Sequence, residues 1–156
     1  MTAPRPRPLL ELWTDGAAGA RAGLPGGWAF VAVAGEREVL GGQGGHPATT
    51  CVLMELEAVR QALVAVEAKG WHQRYQVVLV SDSSIALQAA SGRFLPRPYA
   101  AVAAAVHALA QTLGAGVRKV RAHAGSRWNE LADARAASAR AEAAIEARKP
   151  ARHGRR

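Results

Sequence analysis

The chain has 156 residues, which suits a single domain, and 49% of them are hydrophobic, which predicts a globular core. Its one cysteine, Cys51, excludes an intramolecular disulfide and a cysteine-based zinc site, and it favours a reducing compartment, so we expect a cytoplasmic protein. The net charge of +8 is concentrated at the two ends of the chain, which suits a polyanionic partner.

The first half of the chain is predicted to form strands. A flexible, proline- and arginine-rich lead over residues 1–8 lacks the features of a signal peptide. Apolar runs then predict strands over 9–14, 28–34 and 36–42, which would form an antiparallel meander. The Gly- and Ala-rich stretch 16–27 is expected to connect the first two of them.

The second half is predicted to alternate helices and strands. Thr50 is expected to cap a helix that ends near Gly70, because apolar residues recur between them at steps of three and four. The remaining predicted elements are a central strand over 76–80, a short helix ending near Ser91, a helix ending at Gly114, a strand over 117–123 and a helix over 128–147.

These elements predict an α/β fold in one domain over residues 9–147. An antiparallel three-strand meander and two parallel strands would form a five-stranded mixed sheet, with helices on both faces. A basic tail over 148–156, with five basic residues and no acid, would follow. The uncharged stretch 98–117 is mostly alanine with polar interruptions, so we expect a soluble helix there and no membrane association.

Four acids occupy positions that this fold would bring together. Asp15 and Asp82 each follow a predicted strand, and the carboxyl ends of neighbouring parallel strands share one edge of a sheet. Glu55 is expected in the first turn of its helix, and Asp133 in the second turn of the last helix. Converging carboxylates repel one another unless a cation joins them, and a set of hard oxygen ligands favours magnesium or manganese.

Each candidate also has a purely structural interpretation. Asp82, between two serines, could cap the following helix, and Glu55 could be a solvated acid favoured by the helix dipole. Asp133 could pair with a neighbour on its helix, Asp15 could belong to an Asp-Gly turn, and His123 could be structural. The predicted site would be excluded only if all of these structural interpretations were correct at once.

The motifs around the acids resemble those of type 1 ribonucleases H. The similarity runs from about residue 9 to residue 144, and the matching segments are Thr14-Asp15-Gly16, Met54-Glu55-Leu56, Ser81-Asp82-Ser83, His123-Ala124-Gly125 and Asn129-Glu130-Leu131-Ala132-Asp133. The resemblance implies a ribonuclease H-like fold and hydrolysis of the RNA strand of RNA–DNA hybrids. It implies that the four acids hold two Mg²⁺ ions, with Mn²⁺ as a substitute, and that His123 assists in proton transfer or product release.

The chain departs from the family where substrate is bound. Many members carry two asparagines that read RNA 2′-hydroxyls, and the matching residues here are Cys51 and Val52, which lack an amide. There is little room after Arg93 for the basic handle that some members insert, and the basic tail is a candidate substitute. The predicted nucleic-acid contacts are Gly16, Thr50, Cys51, Asn129 and Arg121, the last of which should share a strand face with His123.

Three functions are compatible with these observations. The first is an endonuclease on RNA–DNA hybrids, and the second is a nuclease of the same fold that cuts DNA, which the missing asparagines keep open. The third is a nucleic-acid-binding module without catalysis, against which the four acids argue. We expect a monomer without an obligate protein partner, and core or half-buried roles for Trp28, Trp71 and Trp128 rather than base stacking.

Overall fold

The computed structural model describes residues 2–93 and 95–150. Within them the strands are β1 (Leu9–Ala18), β2 (Leu24–Ala34), β3 (Arg37–Thr49), β4 (Gln76–Ser81) and β5 (Gly116–Lys119). They form one sheet in the order β3-β2-β1-β4-β5, in which β1, β2 and β3 are antiparallel neighbours and β4 is parallel to both β1 and β5. The predicted mixed sheet is confirmed.

The α-helices are α1 (Cys51–Lys69), α2 (Ser84–Ala90), α3 (Ala100–Leu113) and α4 (Arg127–Ala147), and a 3₁₀ turn that the sequence did not indicate covers Trp71–Gln73. The predicted cap of α1 is confirmed, because the Thr50 hydroxyl accepts a hydrogen bond from the Leu53 N–H at 3.2 Å. Gly70 and Gly114 end α1 and α3 with φ of 66° and 62°, in the left-handed region that glycine favours. In the part of the chain that the structure describes, none of the helices is long and apolar enough to cross a membrane.

The helices cover both faces of the sheet, as predicted. On one face, α1, α2 and α3 bury a large cluster that includes Leu12, Leu56 and Val106. On the other face, α4 packs against a smaller cluster around Trp13 and Val31. The half-buried roles expected for three tryptophans are confirmed, since two of them pack against the large cluster and one against the small cluster: Trp28, Trp71 and Trp128.

α4 lies directly on the backbone of the sheet. A Cβ atom added to Gly27 would stand 2.4 Å from the Ala136 carbonyl oxygen, and one added to Gly45 would stand 2.7 Å from the Ala143 Cβ. Because glycines on the strands face alanines on the helix, the two layers approach without side chains between them. The high alanine content thus produces close packing of a helix on a sheet.

The β1–β2 hairpin is longer than predicted. β1 continues past Thr14 to Ala18 and pairs with a β2 strand that already begins at Leu24, so most of the stretch 16–27 is strand rather than connection. β3 likewise continues to Thr49 instead of ending near residue 42. Glycines have low strand propensity on their own, and here strand pairing and the packed helices stabilise the extended conformation.

β5 is shorter than the predicted strand over 117–123. Its pairing with β4 ends where Lys119 faces Ser81, followed by one hydrogen bond of 3.0 Å from the Val120 N–H to the Ser81 carbonyl. The chain after β4 turns into α2, so β5 has no partner strand beyond this point. Arg121 and His123 therefore lie in the loop before α4, and the prediction that they share a strand face is wrong.

The N-terminal lead contacts the domain through two of its residues. Near the N-terminus, Arg7 Nη1 donates to the His72 carbonyl at 2.6 Å, and the Pro8 carbonyl accepts from the Gln76 N–H at 2.9 Å. Most of the predicted basic tail, residues 151–156, lies outside the described residues.

Candidate active site

Asp15 lies where β1 and β4 separate. The parallel pairing of these strands ends at Trp13 and Val80, whereas β1 remains paired with β2 as far as Ala18. Asp15 is therefore within a strand, beside the gap left by β4, and not at the strand end as predicted. Its side chain is buried, with 7% exposure, and Oδ1 accepts a hydrogen bond from the Gly16 N–H at 2.9 Å.

Gly16 allows α1 to approach β1 closely. A Cβ atom at this position would stand 2.4 Å from the Glu55 nitrogen and 2.6 Å from the Met54 carbonyl carbon. Both of these are backbone atoms, so they could not move away by side-chain rotation. The absence of a side chain at Gly16 therefore brings the Glu55 segment of α1 against the strand that carries Asp15.

Two side chains hold the Glu55 carboxylate. Ser83 Oγ donates to Oε2 at 2.6 Å, and the Cys51 thiol donates to Oε1 at 3.7 Å. Burial, with a smaller contribution from the charge of Asp82, raises the pKa of Glu55 above its ordinary value. The first turn of α1 contains no acid, so the prediction of a first-turn position is wrong and the helix-dipole interpretation loses its basis.

Asp82 is not the cap of α2. Ser83 fills that position, because its Oγ accepts a hydrogen bond from the Ala86 N–H at 3.2 Å. Asp82 is thereby free of a structural role at the helix end, and the capping interpretation is wrong. Sequence reasoning missed that Ser83 both caps α2 and holds Glu55, although its position next to Asp82 was a signal.

α4 contributes Asp133 and Asn129 to the site. Asp133 is one cause of the raised pKa of Asp15, so the two carboxyl groups influence each other electrostatically. Asn129 is 3% exposed; its Nδ2 donates to Asp82 Oδ2 at 3.4 Å, and its Oδ1 has no partner among the described residues. This burial favours positioning of Asp82 over the nucleic-acid contact predicted for Asn129.

The carboxylates repel one another. Burial first, then the hydrogen bond with Asp133 and the charge of Asp82, raise the pKa of Asp15 from 3.8 to about 8. Burial and the neighbouring Glu55 raise the pKa of the Cys51 thiol to about 11, so this thiol stays protonated and acts as a donor. The Asp15, Glu55 and Asp82 charges therefore influence one another at a single locus.

The donor set fits hard divalent cations. It consists of carboxylate oxygens whose mutual repulsion a cation would relieve, without soft thiolate ligands. Among residues 2–93 and 95–150, no three His, Cys, Asp or Glu side chains form a ready-made metal cluster. Ser83 and Asn129 hold two of the carboxylates instead, so cation binding would require side-chain adjustments at this site.

The other predicted contacts lie around this centre. His123 is exposed in the loop between β5 and α4, with φ of 53°, and Gly125 in the same loop has φ of 82°. The Thr50 hydroxyl is used in the cap of α1, while Cys51 is exposed and directs its sulfur toward Glu55. Arg121 is exposed and lines a cavity next to Asp82.

Comparisons with known proteins identify the family of this chain. The RNase H family model matches residues 7–141, which is most of the chain. The chain belongs to the ribonuclease H family. A ribonuclease H from Syntrophomonas wolfei is 32% identical over 140 residues, covering 80% of this chain and 90% of that relative. Membership of the ribonuclease H family makes this protein a nuclease of the hydrolase class.

Solved structures of ribonucleases H share the fold. The N-terminal RNase H domain of rv2228c from Mycobacterium tuberculosis superposes with a TM-score of 0.73 at 19% identity, covering 90% of this chain and 99% of that one. LC11-RNase H1, solved in complex with an RNA/DNA hybrid, has a TM-score of 0.67 at 18% identity, covering 83% and 98%. At these identities the similarity establishes the ribonuclease H-like architecture.

Proposed function

We propose that this protein is an endonuclease that hydrolyses the RNA strand of RNA–DNA hybrids with the help of divalent cations. The observation that carries the proposal is the set of interacting carboxylates where β1 and β4 separate. No structural role accounts for acids at these two positions, since Asp15 is buried beside other acids and Ser83 caps α2 in place of Asp82. Family membership supports the choice of nucleic acid as substrate.

Each acid has a distinct environment for holding two Mg²⁺ or Mn²⁺ ions. Asp15 would hold the ions together with its neighbours, because Asp133 and the charge of Asp82 both raise its pKa. When bound, the two ions supply the activation of a water molecule and the stabilisation of the leaving 3′ oxygen. Ser83 and Asn129 are hydrogen-bonded to the carboxylates of Glu55 and Asp82, and after the side-chain adjustments that cation binding requires they would orient these ligands, as hydrogen-bonded neighbours of metal ligands generally do.

Hydrolysis breaks the bond between phosphorus and the 3′ oxygen of RNA. The water oxygen bonds to phosphorus, and the products end in a 5′-phosphate and a 3′-hydroxyl. His123 is placed on an exposed loop and is proposed to transfer a proton or to assist product release, since histidine readily exchanges protons under physiological conditions.

Metal removal tests this proposal. A hybrid labelled separately on each strand is incubated with protein that has been treated with a chelator, and then again after addition of Mg²⁺ or Mn²⁺. We expect no cleavage in the chelator and cutting of the RNA strand alone once the cation is restored, because the carboxylates cannot replace the chemistry of the ion. Cleavage that continues in excess chelator would contradict the proposal.

Activity on DNA is the second candidate because of Cys51. Its thiol is directed to Glu55 Oε1 and to the Gly16 carbonyl, at 3.7 and 4.0 Å, so it offers no paired donor and acceptor to a 2′-hydroxyl. Val52 has no polar group at all. The 2′-hydroxyl is what separates RNA from DNA at a contact, so this chain should discriminate less by direct hydrogen bonding than members with asparagines.

Replacing Cys51 and Val52 together by asparagine tests the discrimination. The double variant should bind an RNA–DNA hybrid more tightly by about 1 kcal/mol for each regained hydrogen bond, with little change on a DNA duplex of the same sequence. The matched control is the double alanine variant, which removes the same side chains without adding amides. Equal affinities of wild type and the asparagine variant for the hybrid would mean that other groups read the hydroxyls.

A further inference from the structure

A groove extends from the candidate active site across β5 onto α2. Its first part is a cavity of about 360 Å³ lined by Asp82, Lys119, Val120, Arg121 and Ala122. Its second part is a cavity of about 310 Å³ lined by Ser84, Leu87, Gln88, Ser91, Arg93 and Lys119. Lys119 lines both cavities, which therefore adjoin, and we refer to them together as the β5–α2 groove.

The β5–α2 groove carries an excess of positive charge. Arg93, Lys119 and Arg121 line it, and Asp82, at the end next to the active site, is the one acid among its described lining residues. No hydrogen bond or ion pair engages the guanidinium groups of Arg93 or Arg121 within residues 2–93 and 95–150, and Lys119 donates to the neutral hydroxyl of Ser84. The three cations are therefore not neutralised by carboxylate partners, which leaves a positive potential in the groove.

The chemistry of the groove matches a sugar–phosphate backbone. Lys119 and the two arginines provide charge, and Gln88 provides an amide. The described lining residues include no aromatic side chain on which a base could stack. Because the groove begins at Asp82, a nucleic-acid strand that has one phosphate at the carboxylates can continue into the groove.

We propose that the β5–α2 groove binds the phosphodiester backbone of the nucleic acid on one side of the cleaved bond. This inference rests on the proposed function, because that function places the reacting phosphate at Asp82. Phosphate contacts fix the register of a duplex and carry no direct sequence information. The groove should therefore strengthen the binding of an RNA–DNA hybrid and of a DNA duplex alike.

Charge removal at the groove tests the proposal. The variants are Arg93→Gln, Lys119→Gln and Arg121→Gln, and the matched control is Arg74→Gln, an exposed residue that precedes β4 at the end of that strand opposite to Asp82. Binding to a labelled hybrid and to a DNA duplex is measured at several salt concentrations in a chelator, which prevents cleavage. Thermal unfolding of each variant verifies that it is folded.

Each groove variant should flatten the dependence of log affinity on log salt by about 0.9, so a fourfold rise in salt should weaken its binding about 3.5-fold less than that of wild type. The Arg74 variant should keep the wild-type slope. Unchanged slopes in all three groove variants, or an equal change in the control, would overturn the proposal. The result is separable from the nuclease activity: normal hybrid cleavage with unchanged slopes rejects the groove alone, whereas flattened slopes in a protein that leaves hybrids intact reject the function alone.

Discussion

Asp15→Asn should abolish hybrid cleavage without unfolding the protein. The amide keeps the shape of the side chain and removes the negative charge that a divalent cation requires, and the cations are needed for the reaction itself. Turnover should therefore fall to background even at saturating Mg²⁺. Glu67→Gln, an exposed change near the end of α1, is the matched control and should retain full activity.

The same Asp15 variant should be more stable than wild type in the absence of metal. Burial above all raises the pKa of Asp15 from 3.8 to about 8. Between these values the folded protein holds a proton that the unfolded chain has released, so wild-type stability falls as pH rises through this window. Asparagine does not titrate, so the advantage of the variant should grow from about pH 5 to about pH 8 in thermal unfolding with chelator present. A stability difference between the variant and wild type that does not grow with pH would contradict the burial of a charged group.

Gly16→Ala should damage both stability and activity. The new Cβ would stand 2.4 Å from the Glu55 nitrogen, so α1 would have to move away from β1. Overpacking of this kind costs about 1–3 kcal/mol, which denaturant unfolding would detect. Turnover should fall by roughly 10²-fold or more, since a displacement of about 1 Å in a catalytic group has that effect.

Gly116→Ala provides the matched control for this prediction. Its added Cβ would have Val78 Cγ2 at 3.9 Å as its nearest neighbour, which is an ordinary contact. This variant should therefore unfold and turn over like wild type. If Gly16→Ala also retained normal turnover, the close approach of α1 to β1 would not be what places Glu55.

The sequence was sufficient for the order of the strands and α-helices, and it selected the four acids as candidates. Helix α1 is encoded locally, by the cap at Thr50, the apolar stripe and the stop at Gly70, and all three signals lie within the helix or next to it. The acids were recognised because each one lies in a short motif. Features of this kind need no knowledge of distant contacts.

Tertiary packing decided the features that were missed. The end of β1 and the start of β2 are rich in glycine and alanine, and the pairing between them and the approach of α4 at Gly27 make them strands. The end of β5 is set by its partner β4, which turns away after Ser81. The hydrogen bond from Ser83 to Glu55 depends on α1 lying next to the start of α2, which no pattern within either segment reveals.

Cleavage of three matched duplexes tests the central claim most directly. RNA–DNA, RNA–RNA and DNA–DNA duplexes of one sequence are incubated with wild type and with Asp15→Asn in the presence of Mg²⁺. We predict that wild type cuts the RNA strand of the hybrid and leaves the other two duplexes intact, and that the variant cuts none of them. Cutting of the DNA duplex at a rate similar to the hybrid, or equal cutting by Asp15→Asn, would contradict the account.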